Sequence, residues 1–370
     1  MIENFAPKLA RVLTEYSVPI QRGDLVMINA PIEALPLIEA LYEAVLARGG
    51  HPVSVPALPS LRDILVRNAT DEQLDFLNPL AMTMMEKADV LYSILAPSNT
   101  MSGAQVPPER SARLQKAQRP VMETYFKRSF EGSLRWNICA WPTQAAAQQA
   151  EMGLLAYSEF IYRACALDQP DPVAHWQAVA ERQDRLIAWL AGKERVEVRG
   201  PGVDLAFRLD GGRTWINCRG DKNFPDGEIF TCPLEDSVNG TVAFSYPTIS
   251  GGREVRGISL TFENGRVVRA SAEHGEDYLL SQLDLDDGAR TLGEFAIGTN
   301  KGIQRFTGET LFDEKIGGTI HMALGQSIEE AGGTNKSQIH WDIVHSMRNG
   351  GEIWVDGDLF YQNGDFVMEA

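Results

Sequence analysis

The chain has 370 residues, 44% of them hydrophobic, 23% charged and 8% aromatic, the composition of an ordinary globular protein with room for two domains. Fifty acidic residues against 34 basic ones give a formal net charge of −16, which leaves no basic face for nucleic acid. No apolar run approaches the length of a membrane span, and Met1-Ile2-Glu3-Asn4-Phe5 lacks the basic and then apolar start of a secretory signal. A cytoplasmic protein with no membrane partner is expected. Its four cysteines, Cys139, Cys165, Cys218 and Cys232, have no CxxC spacing and read as scattered reduced thiols.

The first half alternates strand and helix. Leu25-Val26-Met27-Ile28 reads as a buried strand, and the helix after it carries Leu37, Ile38, Leu41, Val45 and Leu46 and closes at Gly49-Gly50. A short strand near Val53-Ser54-Val55 follows, then helical sequence, then a strong strand at Asp89–Leu95. Strands separated by helices imply βαβ units and a mainly parallel sheet. The first strand is not followed by GxGxxG, so no dinucleotide site is expected and this half reads as a scaffold or access domain. Residues from about Ala145 to Leu190 are helical, and the spacing of Trp176, Val179, Leu186, Ile187 and Leu190 marks a core stripe.

Gly192-Lys193-Glu194 ends the helices and sets the expected division into an α/β domain at 1–192 and a second domain at 193–370. Beyond it the hydrophobic period becomes two. Val196 and Val198, Leu205, Phe207 and Leu209, and Ile258, Leu260 and Phe262 alternate with polar residues. Asn264-Gly265, Asp356-Gly357 and Asn363-Gly364 are hairpin signals, so the second domain is expected to be β-rich α+β.

The strongest chemical signal is Ile339-His340-Trp341-Asp342. In a strand His340 and Asp342 face the same way and could reach one metal ion, or could form a hydrogen-bonded structural pair. His321 lies in the apolar, glycine-rich stretch Gly317–Gly325, where it reads either as a ligand or as a satisfied core histidine. Glu228, Glu294 and Glu314 also lie in or beside apolar sequence, where a carboxylate is costly unless paired, protonated or bound to metal. Three such glutamates with two histidines and an aspartate suit a two-metal site.

The segments Asn223–Thr231, Leu292-Gly293-Glu294, Leu311–Glu314 with His321–Gly325, and Gly332-Gly333 with Ser337–Asp342 occur in that order. With these blocks the chain resembles the M29, thermophilic-type metallo-aminopeptidases along essentially its whole length. The resemblance implies Glu228, Glu294, Glu314, His321, His340 and Asp342 as metal ligands, with Glu294 bridging and Glu228 doubling as the general base. It gives no role to His345, which reads as structural. The family usually has a tyrosine seven residues after the equivalent of His321, suited to stabilising the tetrahedral intermediate; here the residue is Ile328, which cannot donate a hydrogen bond. Tyr246 and Tyr361 are the nearby phenols that sequence alone offers in its place.

The resemblance further implies two divalent ions (zinc, cobalt or manganese), a short peptide or small-molecule substrate, and a homodimer. The activity expected is removal of N-terminal residues from short peptides by a metal-activated water. A second reading is a non-heme Fe(II) ring-cleaving dioxygenase related to the dihydroxypyridine dioxygenases, with His321, His340 and Asp342 as the facial triad. A third is a non-catalytic binding protein on the same scaffold.

Overall fold

A computed structural model describes residues 2–101, 106–250 and 252–367. The chain forms two compact units, Met1–Trp176 with Gly220–Pro225, and Gln177–Arg219 with Asp226–Ala370. The first unit begins with α1 (Phe5–Val12) and contains strands β1 (Leu25–Asn29), β2 (His51–Ser54), β3 (Val90–Leu95) and β4 (Arg135–Ala140). Helix α2 (Leu35–Ala47) joins β1 to β2. The stretch before β3 holds α3 (Pro59–Asn68), α4 (Asp71–Leu74) and α5 (Pro79–Lys87). Helix α6 (Pro108–Phe130) precedes β4, and α7 (Gln144–Gln149) and α8 (Leu154–Ala164) follow it.

All strand pairs of this sheet are parallel, as βαβ connections require. Val26, Ile28, Val90 and Tyr92 are buried in it. The strand expected near Val53 begins two residues earlier, at His51, because His51 pairs with Leu25 at the start of β1.

Helix α9 (Pro172–Leu190) carries the chain from the first unit into the second. The sequence suggested a division at residue 192, after this helix. The contacts divide the chain between Trp176 and Gln177 instead, because Leu186 and Leu190 belong to the core of the second unit. Residues 220–225 return to the first unit, where Asn223–Phe224 pairs with β4.

The second unit is built on antiparallel strands: β5 (Arg195–Gly200), β6 (Val203–Arg208), β7 (Ile216–Cys218) and, after the returning strand β8 (Asn223–Phe224), β9 (Glu228–Thr231). Then come β10 (Asn239–Ala243), β11 (Thr248–Ser250), β12 (Arg253–Val255), β13 (Ser259–Glu263) and β14 (Arg266–Ser271). After α10 (Glu276–Leu283) follow β15 (Leu292–Gly298), α11 (Thr310–Asp313), β16 (Thr319–Gly325) and β17 (His340–Ser346). Strands β18 (Glu352–Val355), β19 (Asp358–Gln362) and β20 (Asp365–Phe366) end the described chain.

One sheet has eight strands, in the order β14-β13-β10-β6-β5-β18-β19-β20. The three hairpins turn at the expected pairs. Asn264-Gly265, Asp356-Gly357 and Asn363-Gly364 all have positive φ at both residues, as a type I′ turn requires.

The second sheet, β17-β16-β15-β9-β7, positions the site. Apart from one bulge in β15, the side chains of β9, β15, β16 and β17 alternate between two faces. Ile229, Phe295, Ile297, Ile320, Met322, Trp341 and Ile343 point to one face and join Val196, Val198, Leu205, Phe207, Leu260 and Phe262 of the larger sheet in one buried core. The residues between them point to the opposite face. These are Glu228 and Phe230 on β9, Glu294 and Ala296 on β15, His321 and Ala323 on β16, and His340 and Asp342 on β17. A bulge at Gly293 sets this phase: Leu292 pairs with Leu324 on the core side, while Glu294 pairs with Ala323 on the other.

Candidate metal centre

Four neighbouring strands bring the acidic and imidazole groups together on that second face. Glu228, Glu294 and His321 form one cluster and Glu294, His340 and Asp342 another, each with its ligand atoms within 4.8 Å of one another. Glu294 belongs to both. Its Oε1 lies 3.5 Å from His321 Nε2, and its Oε2 lies 3.2 Å from His340 Nε2. Glu228 Oε2 is 3.5 Å from His321 Nε2, and Asp342 Oδ2 is 3.6 Å from His340 Nε2.

Each imidazole is oriented by its other nitrogen. His321 Nδ1 lies 3.1 Å from the Glu314 carbonyl and His340 Nδ1 lies 2.8 Å from the Gln326 carbonyl. A carbonyl oxygen only accepts, so each Nδ1 carries the proton and donates it, and Nε2 turns toward the carboxylates. That is the usual support of a metal-binding histidine. Two buried carboxylate oxygens in the cluster, Glu228 Oε2 and Asp342 Oδ1, have no hydrogen-bond partner. Orphaned acceptors of this kind are costly, and a cation satisfies them. The donor set of imidazole nitrogens and carboxylate oxygens therefore fits one or two divalent ions of the zinc, cobalt or manganese class.

The electrostatics agree. Burial pushes Asp342 upward and the neighbouring Glu314 adds to it; His340 and His321 offset only part, so its pKa rises to about 8. Burial also acts on Glu294, but hydrogen bonds from His321 and His340 outweigh it and bring that carboxyl down to about 2. Burial opposes charge on His321 and His340; Glu228 and Glu294 overcome it at the first, Glu294 and Asp342 at the second, raising them to about 9 and about 10. This is a cluster of excess negative charge that holds on to protons, and bound metal would displace them.

Glu314 follows α11 and lies at the edge of the cluster. Burial raises its pKa, but Lys315 and His321 prevail and hold the carboxyl below its ordinary value. With Asp342 it lines a cleft walled by Pro247, Ile249, Phe306 and Val344. It shares neither of the two tight ligand clusters. The chain reaches this place because Gly298, opposite Glu228 on the ligand face, has no side chain to keep the segment after α11 away from β15.

One participant escaped the sequence reading. Lys315 is 1% exposed, and its Nζ lies 2.6 Å from Glu228 Oε1, 3.0 Å from Glu314 Oε2 and 3.9 Å from Asp226 Oδ1. A lysine beside a charged motif reads as a surface residue; the signal was its place directly before the apolar, glycine-rich run from Ile316. Cys218, Asp226 and Glu228 form a further close group. Burial, then Glu228 and Asp226, push the Cys218 thiol well above its usual range, so it stays protonated, and the Lys315 ammonium already supplies the positive charge between the two acids.

His345 faces the core side of β17, away from the ligands, and is buried, in keeping with a structural role. Tyr361 is buried in the apolar core against Phe366 and offers nothing to the ligand face. Tyr246 stacks on Phe306, a wall of the cleft. Ile328 packs with Phe230, Cys232, Ala296 and Ala331. Since Phe230 and Ala296 share the ligand face, Ile328 is an apolar neighbour of the centre.

This geometry coincides with a family match covering nearly the whole chain: the model for the thermophilic metalloproteases (M29) aligns with residues 3–366. The chain belongs to the M29 peptidase family. It is similar to Aminopeptidase 2 of Geobacillus stearothermophilus, with 30% identity over 98% of this chain and 97% of that one. It is likewise similar to Aminopeptidase T of Thermus thermophilus, at 30% identity over 96% and 95% of the two chains. The solved structure of wild-type AmpT from Thermus thermophilus superposes with a TM-score of 0.87 and 26% identity over 100% of both chains. No helix among the described residues is long and apolar enough to cross a membrane.

Proposed function

We propose that this chain is a metallo-aminopeptidase that removes N-terminal residues from short peptides, with two divalent ions held on either side of Glu294. The observation that carries the reading is the position of Glu294, one oxygen toward His321 and the other toward His340. Glu228 Oε2 and His321 Nε2 would complete the first ion's protein ligands, and His340 Nε2 and Asp342 the second's. The two ions, when bound, would polarise the scissile carbonyl and bring a bound water's pKa toward neutrality.

The protein supplies the remaining functions. Glu228 has one oxygen committed to Lys315 and the other 3.5 Å from His321 Nε2, so it would serve as a ligand of the first ion. The base role that the family resemblance suggested for it falls better to Glu314, whose Oε2 is hydrogen-bonded to Lys315 and which lines the cleft with Asp342. Glu314 takes a proton from the attacking water and returns it to the leaving amine as the peptide C–N bond breaks. Carboxylates at the cleft attract the substrate's α-ammonium, and Pro247, Ile249 and Phe306 offer an apolar wall to its first side chain. The resemblance also implies a cytoplasmic homodimer, which a monomer mass in light scattering would overturn.

The deciding experiment counts metal on purified protein and assays aminoacyl-arylamides with cobalt, zinc, manganese and iron. Two ions per chain and release of the arylamine support the reading. One iron per chain without peptidase activity overturns it in favour of ring cleavage, although Glu228 and Glu294 exceed what a facial triad needs.

A further inference from the structure

Lys315 is an uncommon object: an ammonium with 1% of its side chain exposed, between carboxylates of the metal centre. A buried lysine is costly unless fully paired, and here Glu228 Oε1 and Glu314 Oε2 both accept from Nζ, with Asp226 a little farther off. Its three carboxylate partners and the two further acids of the ligand clusters would otherwise have to be neutralised by two divalent ions alone. Asp226, Glu228, Glu294, Glu314 and Asp342 carry five negative charges if all are ionised. Two divalent ions leave one of these unmatched, and Lys315 supplies the missing positive charge.

We propose that Lys315 is a positioning residue that acts as a fixed third cation of the centre. By holding one oxygen of Glu228 and one of Glu314, it makes Glu228 a one-oxygen ligand and fixes the Glu314 carboxylate at the cleft. The two carboxylates come from distant parts of the chain, β9 and the turn after α11, and the Lys315 ammonium is hydrogen-bonded to both side chains. The ammonium is the common partner that sets the distance between them. Lys315 is too deeply buried, and too fully engaged, to reach substrate itself. Its influence runs through the coordination number of the neighbouring ion and the aim of Glu314.

The inference rests on the two-metal reading, and cobalt-loaded enzyme tests the two separately. Wild type, Lys315→Met and the charge-balanced Asp226→Asn/Lys315→Met are loaded with Co(II), and metal content, visible absorption, kcat and KM are measured. The double variant keeps the net charge of the cluster, so it provides a folded protein if the single one collapses. Once released, Glu228 can offer both oxygens to the ion. Higher coordination weakens the d–d absorption of Co(II), so both variants should bind two ions with a weaker, shifted visible band. Loss of a group that orients metal ligands costs about 10–100-fold in activity, and the loss should fall on kcat with KM little changed. A wild-type spectrum in the variants overturns the proposal, whether or not activity falls, because Lys315 would then not govern the coordination. A wild type that binds no pair of ions instead overturns the two-metal reading.

Discussion

Gly298 lies directly beneath the carbonyl oxygen of Ile316: a β-carbon at Gly298 would collide with that oxygen and come within 3.1 Å of the Glu314 carbonyl. The segment 314–316 therefore sits against β15 only because residue 298 has no side chain. Gly298→Ala should push the whole segment outward, and with it Glu314, Lys315 and the carbonyl that orients His321. Overpacking of this kind costs about 1–3 kcal/mol. Urea unfolding should register that loss, together with weaker metal binding; an alanine variant with wild-type metal affinity would show that the contact has slack.

Removing single ligands should distinguish the two halves of the centre. His340→Ala leaves Glu228, Glu294 and His321 in place, so the protein should retain one ion per chain and lose peptidase activity. Glu294→Ala takes a ligand from both clusters and should reduce binding to less than one tightly held ion. Elemental analysis after gel filtration reads both results. Two tightly bound ions in Glu294→Ala would refute its bridging position.

Chelation should destabilise the native protein. The buried acids and orphaned oxygens of the centre lose their counter-charge when metal leaves, and linkage gives about 2.7 kcal/mol of stabilisation at a free metal concentration of 100 Kd. The midpoint of thermal unfolding should fall with EDTA and recover with added cobalt or zinc. An unchanged midpoint would mean that the acids are satisfied without metal.

His345 gives the protein an acid-sensitive point on the core side of β17, the face opposite His340 and Asp342. Burial holds its pKa below the ordinary value, against smaller opposing effects from the backbone at Pro201 and Ala243. The unfolded chain then binds the proton more readily than the native state. Stability from this residue is present above the unfolded pKa of about 6.5 and declines as pH falls from there toward the folded value. Urea titrations below about pH 6.5 should show a shallower decline for His345→Gln than for wild type; equal slopes would rule this histidine out.

Ile328→Tyr tests the departure from the family pattern. Because Ile328 packs against Phe230 and Ala296 on the ligand face, a phenol there would stand beside the centre. One preformed oxyanion donor is worth about 10²–10³ in turnover, so kcat on N-terminal amides should rise toward that limit with metal affinity unchanged. A native enzyme that is already fast and indifferent to the change would show that the metals and Glu314 suffice.

Much of this was legible because strands write their faces into the sequence. His340-x-Asp342 could be read as one face of a strand, since the side-chain period of a strand is two, while Glu294 and His321 stood out as polar residues within apolar sequence. The hairpin pairs were equally plain, because φ > 0 at both central residues favours Asn or Asp followed by Gly. The short strands β7 and β8 carry too few residues to show a period, so the return of 220–225 to the first unit was hidden. The same holds for Lys315. Its meaning depends on Glu228, 87 residues away, and no local pattern records a pairing of that range.

The alternation of β9, β15, β16 and β17 also bears on how the chain would fold around a bound ion. If any of these strands paired one position out of step, it would turn its ligands into the apolar core and its core residues toward the cleft. A chain misassembled in this way could not gather Glu228, Glu294, His321, His340 and Asp342 around a cation. Metal binding at these residues would therefore favour correct strand pairing, because it would add stability only to the chain whose four strands are in the right phase.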